Sequence, residues 1–291
     1  MRHFKAFALA SLIILGSGLG LALPASADEN LIYSRDPSTL FAMGEKGEVL
    51  LAINVKKQST KIVGLTGAPL QSLALAITPD GRAAYTIAQT MDPAQAHLAK
   101  IDLATGAETL VGAHALGQNL FIMGMTFSPD GTLYAAGDFT LGSPSFNSLY
   151  TIDLTTGLAT RVGSFGVGST NKEFVMSFSF DPNGNLYGAS QAAIYRIDRT
   201  TAAATKVVNI NITGRAGLSR VMGIAFDKKG KLLASDFIDL PQGSTIYGVD
   251  LETGLFTPLF RTGIAFVHNI AFKPEPGCGN GNHNDLDQCN S

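Results

Sequence analysis

Glu45, Asp138, Asp236 and His268 are side chains of the types that hydrolytic chemistry requires, placed at the ends of predicted strands. Carboxylates serve as oxygen ligands to a hard cation or as general acid and base, and an imidazole carries protons near neutral pH. Gln89, Gln191 and Asn269 add amide groups of the kind that orient a polar ligand. Glu45, Gln89, Asp138, Gln191 and Asp236 each fall where a predicted strand ends, and His268 and Asn269 fall where another begins. Gln71, Lys172, Glu173 and Arg220 are expected nearby. Gathered on one face, these groups form a shallow polar rim suited to a small ligand, a glycan or a cation. A rim of this polarity is also what solvated loops present without any function. His268 is singled out because it stands where the corresponding segments carry Leu or Met.

Other chemistries are poorly represented. No Gly-rich loop follows a strand and opens a helix, and no Gly-x-Ser-x-Gly elbow occurs. Asn280, Asn282, Asn284, Asp285 and Asp287 offer oxygens that suit Ca²⁺, but their spacing fits no EF-hand. Ca²⁺ is the one ion entertained, and no other cofactor is implied. Cys278, His283 and Cys289 fall one short of a closed zinc site, so a Cys278–Cys289 disulfide is expected instead.

The elements that must position the rim are repeated. An alternating apolar strand running into a tight turn occurs at residues 73–81, 123–131, 176–184, 222–230 and, shortened, 268–274. A second motif, Ile-Asp-x-x-Thr-Gly, occurs at 101–106, 152–157, 197–202 and 249–254, with a degraded copy at 53–55. The spacing of 45–52 residues, with only strands inside it, predicts an all-β, five-bladed β-propeller; six blades is the alternative. In the clearest unit the four strands are expected at 123–127, 132–136, 149–153 and 159–162. Pro129-Asp130-Gly131 makes the first turn, and Asp153 caps the third by accepting backbone N–H bonds, with Gly157 at positive φ. The copy at 197–202 ends in Ala202 instead of glycine, so a different turn is expected there, in the smallest blade. Residues 267–272 match an inner strand, and the strands at 39–43, 49–55 and 60–63 lack one. The two termini are therefore expected to close one blade together, with residues 31–34 the competitor for that inner place.

The residues Pro129 to Tyr134 with Leu149 to Gly157 resemble those of secreted bacterial β-propeller repeat proteins, whose blades carry Pro-Asp-Gly-x-Leu-Tyr and Tyr-x-Ile-Asp-x-x-Thr-Gly. The resemblance spans about residues 39–274 and implies the fold, not an activity, since unrelated functions share it. The chain contains no tryptophan, which argues against Trp-Asp repeats and tryptophan-docked quinoprotein blades.

Residues 1–27 read as a secretory signal: Arg2 and Lys5, an uncharged apolar run from Phe7 to Leu23, then Ala25-Ser26-Ala27. Residues 28–276 are expected to be the propeller and 277–291 a Cys-containing tail rich in Asn, Gly and Asp. Export to the periplasm or beyond follows, with a monomer free of the membrane after cleavage. The expected mature charge of −4 is mild and evenly spread, which disfavours nucleic acid. Within the inner strands, one alternating set is small (Ala74, Gly124, Ser177, Gly223, Asn269) and the other large (Leu75, Met125, Phe178, Ile224, Ile270). The small set is expected to line the axis and the large set to pack between blades. An axis holding one amide and no carboxylate favours a non-catalytic binding or scaffold module for a protein, glycan or small molecule. The alternative is a metal-dependent hydrolase, lactonase-like or glycan-directed, working through Glu45, Asp138, Asp236 and His268 on the rim.

Overall fold

The computed structural model of the chain describes residues 39–66, 71–89, 96–112, 115–117, 120–137, 147–167, 174–212, 220–237 and 242–274. The expected signal, residues 31–34, Cys278, Cys289 and the tail lie outside these. Among the described residues no helix is long and apolar enough to cross a membrane.

The alternating segments form five small antiparallel sheets. The first complete blade is β4 (Gln71–Ile77), β5 (Ala84–Gln89), β6 (His97–Ile101) and β7 (Glu108–Leu110), numbered from the axis outward. The next is β8 (Ile122–Phe127), β9 (Leu133–Gly137), β10 (Ser148–Ile152) and β11 (Ala159–Ser164), within a residue or two of the sequence expectation. Then come β12 (Ser177–Phe180), β13 (Leu186–Ala189), β14 (Ala193–Ile197) and β15 (Ala204–Asn209), the smallest blade. The last sequential blade is β17 (Arg220–Phe226), β18 (Leu232–Phe237), β19 (Thr245–Val249) and β20 (Leu255–Arg261), with β16 (Asn211–Ile212) added in parallel to its outer edge. The remaining blade is assembled from both ends of the chain. Its inner strand, β21 (His268–Phe272), pairs with β1 (Thr39–Gly44), followed by β2 (Val49–Asn54) and β3 (Ser59–Leu65). The ring has five blades, closed as the sequence predicts.

The repeated residues hold the ring in repeated ways. Tyr85, Tyr134 and Tyr187 sit on second strands, and each meets the phenylalanine ending the next blade's inner strand. The centroid separations to Phe127, Phe180 and Phe226 are 5.7, 5.9 and 5.1 Å. Tilted aromatic pairs of this kind add about 1 kcal/mol each to the burial of their surface. Asp102, Asp153, Asp198 and Asp250 all perform turn chemistry: each carboxylate accepts the N–H groups two and three residues on. These turns also support the preceding blade's outer strand. A Cβ on Gly64 would stand 1.8 Å from the Thr105 carbonyl oxygen, and one on Gly112 2.1 Å from that of Thr156.

Two expectations require correction. The turn ending at Ala202 is not different: Ala202 takes φ 66°, and its N–H reaches the Asp198 oxygen at 2.7 Å, as Gly157 does to Asp153 at 2.9 Å. Asp198 and the packing of the buried Ala202 methyl impose the left-handed conformation that glycine adopts elsewhere without strain. Nor does only the large set pack between blades. A blade is a radial sheet, so both of its faces meet neighbours. The small set packs directly on the next inner strand: Ser177 and Ser179 accept the Ile224 and Phe226 N–H groups at 2.9 and 3.0 Å. Small residues are needed there because the inner strands crowd, and a Cβ on Gly124 would stand 2.5 Å from the Met176 oxygen.

Candidate functional site

Inner strands begin on one face of the ring, here the entry face, and end in Pro-Asp-Gly-type turns on the other, the turn face. The predicted rim belongs to the entry face. Gln89 ends β5 and Asp236 is the last residue but one of β18, while Glu45 follows β1 and Gln191 follows β13. His268 opens β21, with Asn269 beside it. Asp138, Lys172 and Glu173 lie outside the described residues, as do the Gln89 and Gln71 side chains.

Three described members of the rim, Asp236, Glu45 and Asn269, are engaged in structural hydrogen bonds. Asp236 is fully buried and accepts the Thr245 N–H and the Tyr247 hydroxyl, each at 2.7 Å. Glu45 clamps the closing blade: its N–H donates to the Ala265 oxygen at 3.0 Å, and its carboxylate accepts the Ala265 N–H at 3.4 Å. Asn269 sits at a bulge, since Ala42 pairs with Ile270 but Met43 with His268. Its φ of 30° turns the amide across the axis, where it donates to the Leu73 oxygen at 3.3 Å and to the Met123 oxygen. Bulges re-aim side chains in this way. Asn269 thus ties the closing blade to two others and spans the central space. Gln191 is half-buried. Among the described residues no three His, Cys, Asp or Glu side chains are placed to share one ion.

His268 is only 3% exposed, and burial pushes its imidazole down to about 4. It is neutral at physiological pH. Because an unfolded histidine titrates near 6.5, the unfolded chain takes up a proton between pH 6.5 and 4 that the folded chain refuses. Stability contributed by the neutral imidazole is therefore present above pH 6.5 and lost as the pH falls toward 4, by on the order of 2–3 kcal/mol. His268→Met, the residue type of three of the other four blades, is expected to flatten urea-unfolding stability across that window. The further loss below it remains, because turn hydrogen bonds hold Asp130, Asp153, Asp198 and Asp250 below the usual carboxylate range. An unchanged slope between pH 6.5 and 4 would contradict the buried placement.

The turn face holds a feature absent from the sequence expectations: an axial funnel of about 830 Å³. Its throat is walled by Ala76, Thr126, Ser179, Ala225 and Ala271, one from each inner strand, with apolar neighbours from the large set. One side of its mouth carries Lys56, Lys228, Lys229, Lys231 and Lys273, all contributed by the β17–β20 blade and the closing blade. The other side carries Pro79, Pro129 and Pro182 of the remaining three blades and no lysine, while Pro274 sits beside Lys273 on the first side. Asp181 and Asp227 also line it, but each carboxylate faces its own turn. Asp227 accepts the Lys229 and Lys231 N–H groups, and Asp181 those of Asn183 and Asn185. The readable signal is at residues 227–230, Asp-Lys-Lys-Gly, where other copies carry Pro-Asp-Gly or Pro-Asn-Gly.

No protein-family model and no curated protein matches the chain. Solved structures do resemble it. A gluconolactonase from Xanthomonas campestris is 14% identical with a TM-score of 0.49, over 79% of this chain and 74% of that one. Virginiamycin B lyase from Staphylococcus aureus is 15% identical with a TM-score of 0.42, over 77% and 71%. The PQQ-bound aldose sugar dehydrogenase of Streptomyces coelicolor is 16% identical with a TM-score of 0.43, over 69% and 71%. The fold rests on this chain's own strand pairing, and likenesses this low carry no activity across to it.

Proposed function

We propose that the protein is an exported, non-catalytic binding module whose ligand enters the axial funnel on the turn face. One observation carries this reading. Of the described rim groups, Asp236 is committed to hydrogen bonds within its own blade and Glu45 and Asn269 to bonds that tie the closing blade together, whereas the funnel is concave and preformed. Its volume falls in the range of small-molecule sites, roughly 300–1,000 Å³. A hydrolase working from the entry face would have to release Asp236 and Glu45 from those bonds before either could hold a metal or a proton in transit. The test is metal analysis of the purified protein together with lactone and glycan hydrolysis, each with and without chelator. No chelator-sensitive turnover is expected; metal-dependent turnover that disappears in Asp138→Asn would overturn the reading in favour of a rim hydrolase.

A further inference from the structure

The funnel is chemically two-sided, and that asymmetry specifies a class of ligand. Five lysines line its mouth against two aspartates, in a chain whose formal net charge is −2. The positive character is therefore a local departure from the chain's overall balance. It is also directional. Lys228, Lys229 and Lys231 come from the turn after β17, Lys273 follows β21, and Lys56 follows β2, so the cations belong to two adjacent blades. The three blades opposite contribute Pro79, Pro129 and Pro182 and no lysine to the lining. Below the mouth the wall is apolar, small residues alternating with larger ones such as Leu75, Met125 and Phe178, apart from the hydroxyls of Thr126 and Ser179. Ser179 is already engaged with the Phe226 N–H and the Phe180 carbonyl. A strongly hydrated polyanion would gain charge pairing at the mouth but would have to leave its water to descend. A neutral apolar molecule would fill the throat and make no use of the lysines.

We propose that the funnel binds an amphiphilic organic anion: an aryl or alkyl body in the throat, and a single carboxylate or sulfonate held at the lysine side of the mouth. This deepens the binding-module reading and rests on it. Apolar burial supplies most of the affinity, and the ammonium groups fix the orientation. Lysine suits this better than a bidentate donor would, because a mobile point charge tolerates varied headgroups.

The experiment uses the mature full chain and two fluorescent probes of similar ring size, anionic 1-anilinonaphthalene-8-sulfonate and neutral N-phenyl-1-naphthylamine. The sulfonate is expected to bind saturably at one site per chain, more tightly than the neutral probe, and more weakly as salt rises. Lys229→Gln combined with Lys273→Gln removes one charge from each contributing blade and is expected to weaken sulfonate binding roughly tenfold while leaving the neutral probe unaffected. Thr126→Phe narrows the throat and is expected to abolish binding of both probes. Melting curves of each variant confirm that the ring is intact, and the lysine changes at the mouth remain decisive even if Thr126→Phe fails to fold. Absence of saturable sulfonate binding, or binding indifferent to the two lysines, would overturn the proposal. So would displacement of the sulfonate by inorganic phosphate at equal concentration. Any of these results leaves the non-catalytic reading standing, because that reading falls only to metal-dependent turnover.

Discussion

Ending the chain before Ala265 is expected to abolish cooperative folding, whereas ending it before Gly277 should leave the melting temperature nearly unchanged. The first truncation removes all of β21. Its pairing with β1, from Leu40↔Phe272 to Met43↔His268, disappears and leaves β1 as an open inner edge. Val267 goes with it, although the Ser244 hydroxyl accepts its N–H at 3.1 Å and the Ser235 hydroxyl donates to its carbonyl at 3.3 Å. The Asn269 bridge to Leu73 and Met123 is lost as well. Removing the buried Ile270 side chain alone costs about 2–5 kcal/mol. Added to the lost ladder, this approaches the whole stability of a domain, roughly 5–15 kcal/mol. The exposed edge and apolar face then favour aggregation. Thermal melting followed by circular dichroism, with size-exclusion chromatography, separates the two truncations. Equal melting temperatures would place β21 outside the ring.

Asp236→Ala should destabilise the protein by about 3–5 kcal/mol, far more than removal of a rim ligand would. The carboxylate is fully buried, and its loss strands the Thr245 N–H and the Tyr247 hydroxyl, themselves 4% and 3% exposed. Each buried group left without its acceptor costs about 1–3 kcal/mol, and bonds to a charged acceptor lie at the upper end. Asp236→Asn keeps one acceptor oxygen and should recover part of the loss. Urea unfolding of the three proteins measures this. If Asp236→Ala melted with the parent protein but lost a ligand or an activity, Asp236 would be a site residue and its bonds to β19 incidental.

Much of this molecule is legible because its period is. Strand alternation, Pro-Asp-Gly turns and Asp-x-x-Thr-Gly turns are local signals. Each aspartate caps its own turn, so Asp102, Asp153, Asp198 and Asp250 can be assigned without knowing what surrounds them. Closure is legible for a related reason: residues 268–272 carry the inner-strand pattern, and among the described residues no partner strand follows them while the first three strands lack an inner one. The Ala202 turn is not legible, because its left-handed conformation is held by tertiary packing, which an isolated tetrapeptide does not reveal.

The candidate site is another matter. Sequence position alone puts Glu45, Asp236, His268 and Asn269 on the correct face, since strand order determines which ends of the strands come together. It does not reveal that Asp236 and His268 are buried, that Asn269 is turned across the axis by a bulge, or that Glu45 holds Ala265. Those outcomes depend on contacts between residues far apart in the chain. The lysines of the funnel show the same limit. Lys56 and Lys273 read as ordinary solvated turn residues, and only the closing of five blades around one axis brings them to the same mouth. Local hydrogen bonding and alternation determined the blades and their number; the shared axis, which exists only once the ring is shut, decided which charges became neighbours and which polar groups were withdrawn from solvent.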